Sequence, residues 1–522
     1  MYPGTHAQTH ADRIAIARPA TGESLTYRQL DDRSNRLAQL LYARGLRRGD
    51  HLALLCDNRL EFAEVVWACM RSGLYLTPIN WHLSAPEAAY IVDDCDAKAL
   101  IAASTTGQAA EIGRLSPRCD LKLVIGDPVD GFESYEDAVA AQPARRLDQE
   151  WLGSTMAYSS GTTGKPKGIL RDLWDHSPDK GNPSIQFTID VFGLNGNSVY
   201  LSPAPLYHGA PLAYLMAVIQ AGGSFVMMDR FDPEEALRLI EQYRVTHSQW
   251  VPTMFIRLLK LPEEIRVRHD LSSHRVAIHA AAPCPVEVKR QMIDWWGPII
   301  NEYYTSTEAI AFTAITSEEW LAHPGSVGRG RGKPVHICDD AGEELPAGQP
   351  GLIYGEPTGD GKTFVYHKSA DKTGSSANPR HPSWVTVGDV GYVDDDGYLY
   401  LTDRKAFMII SGGVNIYPQQ IEDALALHPK VADVAVIGVP NAELGEEVKA
   451  VVQPAPGIDP SDALAEEIKA FVAEKLGRQL TPRSVDFMAE LPRLPTGKLY
   501  KKKLRDAYWG DAGATATLAA RI

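Results

Sequence analysis

Residues Tyr158–Arg171 read YSSGTTGKPKGILR. Glycines 161, 164 and 168 permit close backbone approach to a ligand. The hydroxyls of Ser159, Ser160, Thr162 and Thr163 add donors, and Lys165 and Lys167 add positive charge. The stretch reads as a cradle for phosphates, with a solvated turn between two elements as the plain alternative. It is not the P-loop, whose pattern G-x-x-x-x-G-K-[ST] closes on a hydroxyl that holds magnesium at a helix start. Here Ser159 stands where that pattern has its first glycine, and Pro166 follows Lys165.

Outward from this loop, short apolar runs alternate with helical patterns through the first 310 residues. HLALLC, KALIAA, LKLVIG, SVYLSP, SFVMM and RVAIHAAA have the length and composition of buried strands. YRQLDDRSNRLAQLLYARG and PEEALRLIEQYRV place apolar residues at helical spacing. Such alternation predicts layered α/β architecture with largely parallel sheets. From about residue 325 the texture becomes dense in glycine and proline between short strands, which predicts a small β-rich subdomain extending to about 404. GYVDDDGYLYLTDRK reads as a hairpin around Asp-Gly. After Lys405 a small α+β unit is expected: helix PQQIEDALALHP, strands VADVAVIGV and EVKAVVQPA, helix SDALAEEIKAFVAEKLG, then a small-residue tail expected to be flexible.

A chain of 522 residues is too long for one core, and 44% hydrophobic with 23% charged residues is ordinary globular composition. The net charge of −14 argues against nucleic acid or an anionic membrane as the main partner. The six cysteines are scattered, form no CxxC pair, and read as reduced buried thiols. The most apolar long window, PLAYLMAVIQAGGSFVMM, is interrupted by Gln220 and Gly-Gly-Ser and reads as helix, turn and strand. No signal peptide pattern opens the sequence, and a cytoplasmic location is expected.

The run SSGTTGKPKG resembles the signature loop of the adenylate-forming (ANL) superfamily, of the acyl-CoA synthetase or fatty-acid–CoA ligase type. The resemblance recurs in order along the chain: PLYHGAP (Pro205–Pro211), AAAPCP (Ala280–Pro285), YYTSTE (Tyr303–Glu308), GDVGYVDDDGYLYLTDRK, IISGGVNIYPQQIE and LPRLPTGKLYKKKLR. It implies a large N-terminal adenylation domain over residues 1–404, binding ATP and acid, and a mobile C-terminal lid over 405–522. The implied reaction joins a carboxylic acid to AMP with loss of pyrophosphate, then passes the acyl group to coenzyme A.

By the same resemblance, Ser159, Ser160, Gly161, Thr162, Thr163, Gly164, Lys165 and Lys167 would hold the β- and γ-phosphates of ATP. Ala282, Pro283 and Tyr304 would enclose adenine, Asp389 the ribose hydroxyls, and Arg404 ribose or phosphate oxygens. Thr307 would touch the α-phosphate, Glu308 with Thr163 would hold Mg2+, and Lys498 would bridge the substrate carboxylate and the α-phosphate. His208, Trp250, Ala280 and Ser306 are the expected acyl pocket; Ser411, Gly412 and Gly413 the coenzyme A path; Lys405 and Ala406 the hinge. Lys501, Lys502 and Lys503 read as a solvated basic run. A homodimer is a further expectation.

Three positions depart from the family pattern. Ala406 and Phe407 stand where the hinge usually has a polar residue and an acid, and Thr305 replaces the glycine of Y-G-x-T-E. The segment 172–196 is long and polar at its start, either a lid or a surface excursion. An acid with a fatty, alicyclic or aromatic body fits the apolar candidates better than acetate. The alternatives are transfer to an amine or a carrier-protein thiol, and a catalytically silent nucleotide binder.

Overall fold

The computed structural model describes residues 1–159, 166–356, 364–404, 407–493, 499–501 and 503–509, and only the backbone of Ser159, Asp403 and Arg404. Its contacts divide the chain into two compact units. One comprises Met1–Trp250, Pro262–Ala277 and Lys362–Ser375; the other comprises Val251–Leu261, Ile278–Gly361 and Ser376–Ile522.

In the first unit a six-stranded, all-parallel sheet runs in the order Glu133–Ser134, Leu121–Ile125, Ala97–Ala103, His51–Leu55, Tyr75–Ile79, Ser154–Thr155. Parallel strands need crossovers, and helices cover them, so the central strands are apolar on both faces. Leu52, Ala53, Leu54 and Leu55 are accordingly all buried. A second parallel set places Val199–Ser202 between Ser224–Met227 and His247–Trp250; Ile14–Arg18 joins it in parallel, and Glu23–Thr26 closes the edge antiparallel. The helix Tyr27–Ala43 begins at Thr26 with a reciprocal cap: Gln29 N–H donates to Thr26 Oγ1, and Thr26 N–H donates to Gln29 Oε1. The apolar window around Gln220 is helix Gly209–Ala221 followed by strand Ser224–Met227. The polar segment 172–196 contains a regular helix, Pro183–Phe192, capped by Asn182. Gln220 accepts from the Asn182 N–H, which ties this helix to its neighbour Gly209–Ala221.

The second unit carries an antiparallel series in the order Ile300–Thr305, Phe312–Ile315, Ser326–Gly330, Leu399–Arg404, Asp389–Val393, Gly351–Gly355, Val335–Cys338. The Asp-Gly hairpin is present as Asp389–Val393 against Leu399–Arg404. A five-stranded sheet follows, built on the long pair Val431–Asn441 and Gly445–Pro454. Alternate residues of the first strand feed opposite cores: Val434 and Val436 pack with Ile421, Leu425, Leu464 and Ile468, whereas Ala435, Ile437 and Val439 pack with Leu491 and Leu504. The helices Pro418–Leu425 and Asp462–Leu476 supply the first of these layers.

All six cysteines are free thiols. Among the described residues no helix is long and apolar enough to cross a membrane.

Candidate active site

The glycine-rich loop is flanked on both sides by strand. Ala157–Ser159 pairs antiparallel with Lys167–Leu170, in the register Ser159 to Lys167 and Tyr158 to Gly168, and Val365–Tyr366 extends the ribbon. A P-loop leads from strand into helix, so its geometry is absent here as well as its sequence. Gly168 has a packing reason: a Cβ there would lie 2.2 Å from Met156 Cε and 3.0 Å from the Tyr158 ring. Tyr158 Oη donates to Asp94 Oδ2 at 2.6 Å and Tyr90 Oη to the Pro166 carbonyl at 3.2 Å, anchoring the two flanks. Ser160 to Lys165 lie outside the described residues, as do Lys405, Ala406, Lys498 and the 510–522 tail; so do the side chains of Ser159 and Arg404.

In the second unit two of the residues expected around adenosine, Tyr304 and Asp389, meet. Strand Ile300–Thr305 carries Tyr304 one residue before its end, and the Tyr304 Oη donates to Asp389 Oδ2 at 2.8 Å. Tyr304 and Asp389 are 8% and 9% exposed, so this bond is shielded from water. Thr305 Oγ1 donates to the Ala311 carbonyl at 2.7 Å, which ties down the side chain that replaces glycine. Beyond the strand, Ser306 Oγ is buried and has no hydrogen-bond partner among the described residues, Thr307 is exposed and Glu308 is buried. Ala280 is buried, and Ala282 and Pro283 are half-buried. Ala281 and Ala309 both adopt left-handed backbone, at φ +74° and +52°. Each costs about 1–2 kcal/mol relative to ordinary backbone, and such strain concentrates at functional sites.

In the first unit His208 caps helix Gly209–Ala221 and packs beside Tyr207, with ring centroids 4.3 Å apart. Among the described residues neither His208 Nε2 nor Tyr207 Oη has a hydrogen-bond partner, though both atoms are buried. Burial, reinforced by the nearby His82, pushes the His208 imidazole down to about 3, so the ring is neutral at physiological pH. Trp250 is enclosed at 1% exposure and its Nε1 donates to Ser248 Oγ at 2.6 Å. Ser248 Oγ in turn meets His274 Nε2 at 2.6 Å, so the indole nitrogen is satisfied inside the core.

Ser411-Gly412-Gly413 forms a hairpin turn: Ile409–Ser411 pairs with Val414–Ile416, Ser411 opposite Val414. Gly412 and Gly413 have φ +57° and +80°, as a two-residue type I′ turn requires, so backbone geometry alone accounts for both glycines.

Two features were not anticipated from sequence. Lys501 belongs to no solvated run: it is 8% exposed and pairs with Glu422 at 2.9 Å, while Lys503 is exposed as expected. Lys289, Glu302 and His279 form a buried charged cluster. The signal for Lys289 was its place on the apolar stripe of helix Val286–Trp296, beside Val288, Met292 and Ile293.

Among the described residues no group of three or more His, Cys, Asp or Glu could hold a metal. Mg2+ needs no such cage where phosphates and water supply most ligands, and a buried carboxylate of the kind Glu308 offers would fit the protein's share.

The family model for the AMP-binding enzyme matches residues 4–356, and that for the AMP-binding enzyme C-terminal domain matches 420–498. Feruloyl-CoA synthase of an Amycolatopsis species is 32% identical over 487 residues, covering 93% of this chain and 94% of its own length. The fatty acid–[acyl-carrier-protein] ligase ScoC of Streptomyces coeruleorubidus is 29% identical over 528 residues, covering 97% and 96%. The solved structure of the anthranilate CoA ligase AuaEII in complex with anthranoyl-AMP matches with a TM-score of 0.83 at 26% identity, over 97% of this chain and 96% of its own. A large N-terminal α/β domain followed by a small C-terminal domain is thus the fold class of the whole chain. The motif order, the fold and the matched length converge: the chain belongs to the AMP-binding enzyme family, within the adenylate-forming superfamily.

Proposed function

We propose that this enzyme is an AMP-forming carboxylic acid–CoA ligase acting on an acid with an aromatic, alicyclic or medium-to-long aliphatic body. The observation that carries the reading is the shielded Tyr304–Asp389 bond on the strand that leads to Thr307 and Glu308. The Tyr304 phenol orients the Asp389 carboxyl group, whose oxygens can accept hydrogen bonds from ribose hydroxyls, and the phenol ring offers a face to adenine. Ala282 and Pro283 form the opposing wall.

Ser159 to Lys165, with Lys167, hold the β- and γ-phosphates, Thr307 the α-phosphate, and Arg404 the ribose or phosphate oxygens. Glu308 and Thr163 hold Mg2+, which when bound neutralises phosphate charge. Lys498 supplies a donor to the charge that grows between carboxylate and α-phosphate, the kind of preorganised stabilisation that dominates phosphoryl and acyl transfer. His208, Trp250, Ala280 and Ser306 belong to the acyl pocket. The neutral His208 ring suits a gate that desolvates the acid, not a proton donor. Ser411, Gly412 and Gly413 line the coenzyme A path. The lid begins at residue 405, with Lys405 and Ala406 as its hinge; the β-rich subdomain runs from about 325 to 404. A cytoplasmic location and a homodimer complete the reading.

Curated relatives differ in acceptor, coenzyme A for the feruloyl enzyme and a carrier protein for ScoC. The test is therefore a panel of carboxylic acids with MgATP, with and without coenzyme A, reading AMP, pyrophosphate and thioester by mass. Thioester formation supports the ligase. Adenylate that turns over only with an amine or a carrier thiol overturns the acceptor, and no pyrophosphate with any acid overturns the reaction.

A further inference from the structure

His279, Lys289 and Glu302 are 0%, 0% and 4% exposed and meet at one carboxylate oxygen. Lys289 Nζ donates to Glu302 Oε2 at 2.6 Å, and His279 Nε2 lies 3.3 Å from the same oxygen. Lys289 Nζ also sits 4.9 Å over the Trp320 ring, and Phe255 packs edge-on against His279 at 5.4 Å between centroids. Burial alone would raise the Glu302 carboxyl, but His279 and Lys289 hold it at about 2. The cluster is thus a buried Lys289–Glu302 ion pair with the His279 ring set against its shared oxygen.

The three residues lie where the two walls of the adenine slot begin. His279 ends its strand immediately before Ala280–Pro283. Glu302 is two residues before Tyr304 on the same strand, and therefore on the same face of it. Lys289 projects from the helix that follows Pro285. A buried ion pair is a poor source of stability compared with apolar packing, but a well-attested way to specify one arrangement. We propose that Glu302, clamped by Lys289 and His279, is a positioning residue for the nucleotide: it holds the Tyr304 strand in register with the Ala280–Pro283 segment, so that the slot is preformed before ATP arrives. This inference rests on the assignment of Ala282, Pro283 and Tyr304 to adenine.

The test uses the full chain and three variants: Glu302→Gln, His279→Gln, and the double Lys289→Met/Glu302→Gln. AMP affinity is measured by calorimetry, KM for ATP and for the acid by steady-state kinetics, and folding by thermal melt. His279→Gln leaves the Lys289–Glu302 pair intact, so it reports on the slot even where Glu302→Gln alone does not fold. The expected result is a rise of about tenfold in the KM for ATP and in the AMP dissociation constant, with the acid KM within about twofold. The double variant removes both buried charges, and is expected to recover the melting temperature without recovering ATP affinity. Unchanged AMP affinity in folded His279→Gln, equal rises in both KM values, or recovery of ATP affinity in the double variant would each overturn the proposal. Wild-type protein that binds no AMP would instead remove the adenine assignment beneath it.

Discussion

Tyr304 and Asp389, 85 residues apart in the chain, share a 2.8 Å hydrogen bond between Oη and Oδ2 that is largely sealed from solvent. The bond orients a carboxylate and an aromatic ring at once, which two independent side chains would leave to the ligand to organise. Hydrogen bonds to a charged partner typically contribute about 1.5–3 kcal/mol. Tyr304→Phe keeps the ring and removes the donor, so the KM for ATP is expected to rise about tenfold or more with kcat changed little. Initial-rate kinetics of pyrophosphate release at varied ATP check this; an unchanged KM would detach Tyr304 from the nucleotide.

Lys498→Ala should separate the two half-reactions. Losing one preorganised donor costs on the order of 10²–10³ in rate. Pyrophosphate release from acid and ATP is expected to fall by that factor, while chemically supplied acyl-AMP still yields thioester with coenzyme A. Adenylation near the wild-type rate would take the role away from Lys498.

Acid destabilisation of the first unit should follow its buried histidines. Burial, with His247 adding like charge, lowers His274 to about 3; burial lowers His247 to about 4, against the opposing pull of the Phe192 carbonyl. Below about pH 6.5 the unfolded chain takes up protons at these sites and the native state does not, so stability falls with falling pH. The slope is on the order of 1.4 kcal/mol per pH unit for each fully buried histidine, down to its native value. Glu302 works in a lower window: its stabilisation is intact above about pH 4.5 and is lost only as pH falls towards 2. Urea melts at pH 7 and pH 5 should therefore show a lower midpoint at pH 5, and His247→Gln with His274→Gln should flatten that difference. A midpoint independent of pH in the wild type would contradict it.

Gly413→Ala forces a side chain into left-handed backbone at φ +80°. The local cost is about 1–2 kcal/mol. If the turn lines the coenzyme A path, thioester formation slows while pyrophosphate release in the absence of coenzyme A is kept. Equal loss of both partial reactions would mark the turn as structural only.

Much of the fold was legible because its signals are local. The parallel strands His51–Leu55, Ala97–Ala103 and Leu121–Ile125 and the helices Tyr27–Ala43 and Pro233–Gln242 follow from apolar periodicity and caps. The segment 172–196 was harder, since its helix is short and held by Gln220, a residue read only as an interruption. Lys501 misled for a related reason. In a run of lysines nothing local distinguishes the one that faces a buried Glu422.

The opening loop separates the two kinds of information. YSSGTTGKPKG suggests a phosphate cradle from composition alone, beside the plain reading of a solvated turn, because glycine freedom, hydroxyls and lysines are properties of the residues themselves. The same residues also exclude a P-loop. That both flanks are antiparallel strands, that Tyr304 meets Asp389, and that Lys289 and His279 converge on Glu302 were decided only in three dimensions. Those pairings join residues distant in sequence or carried on different elements. They exist because burying a polar group is costly unless a partner arrives with it, and no local pattern names the partner.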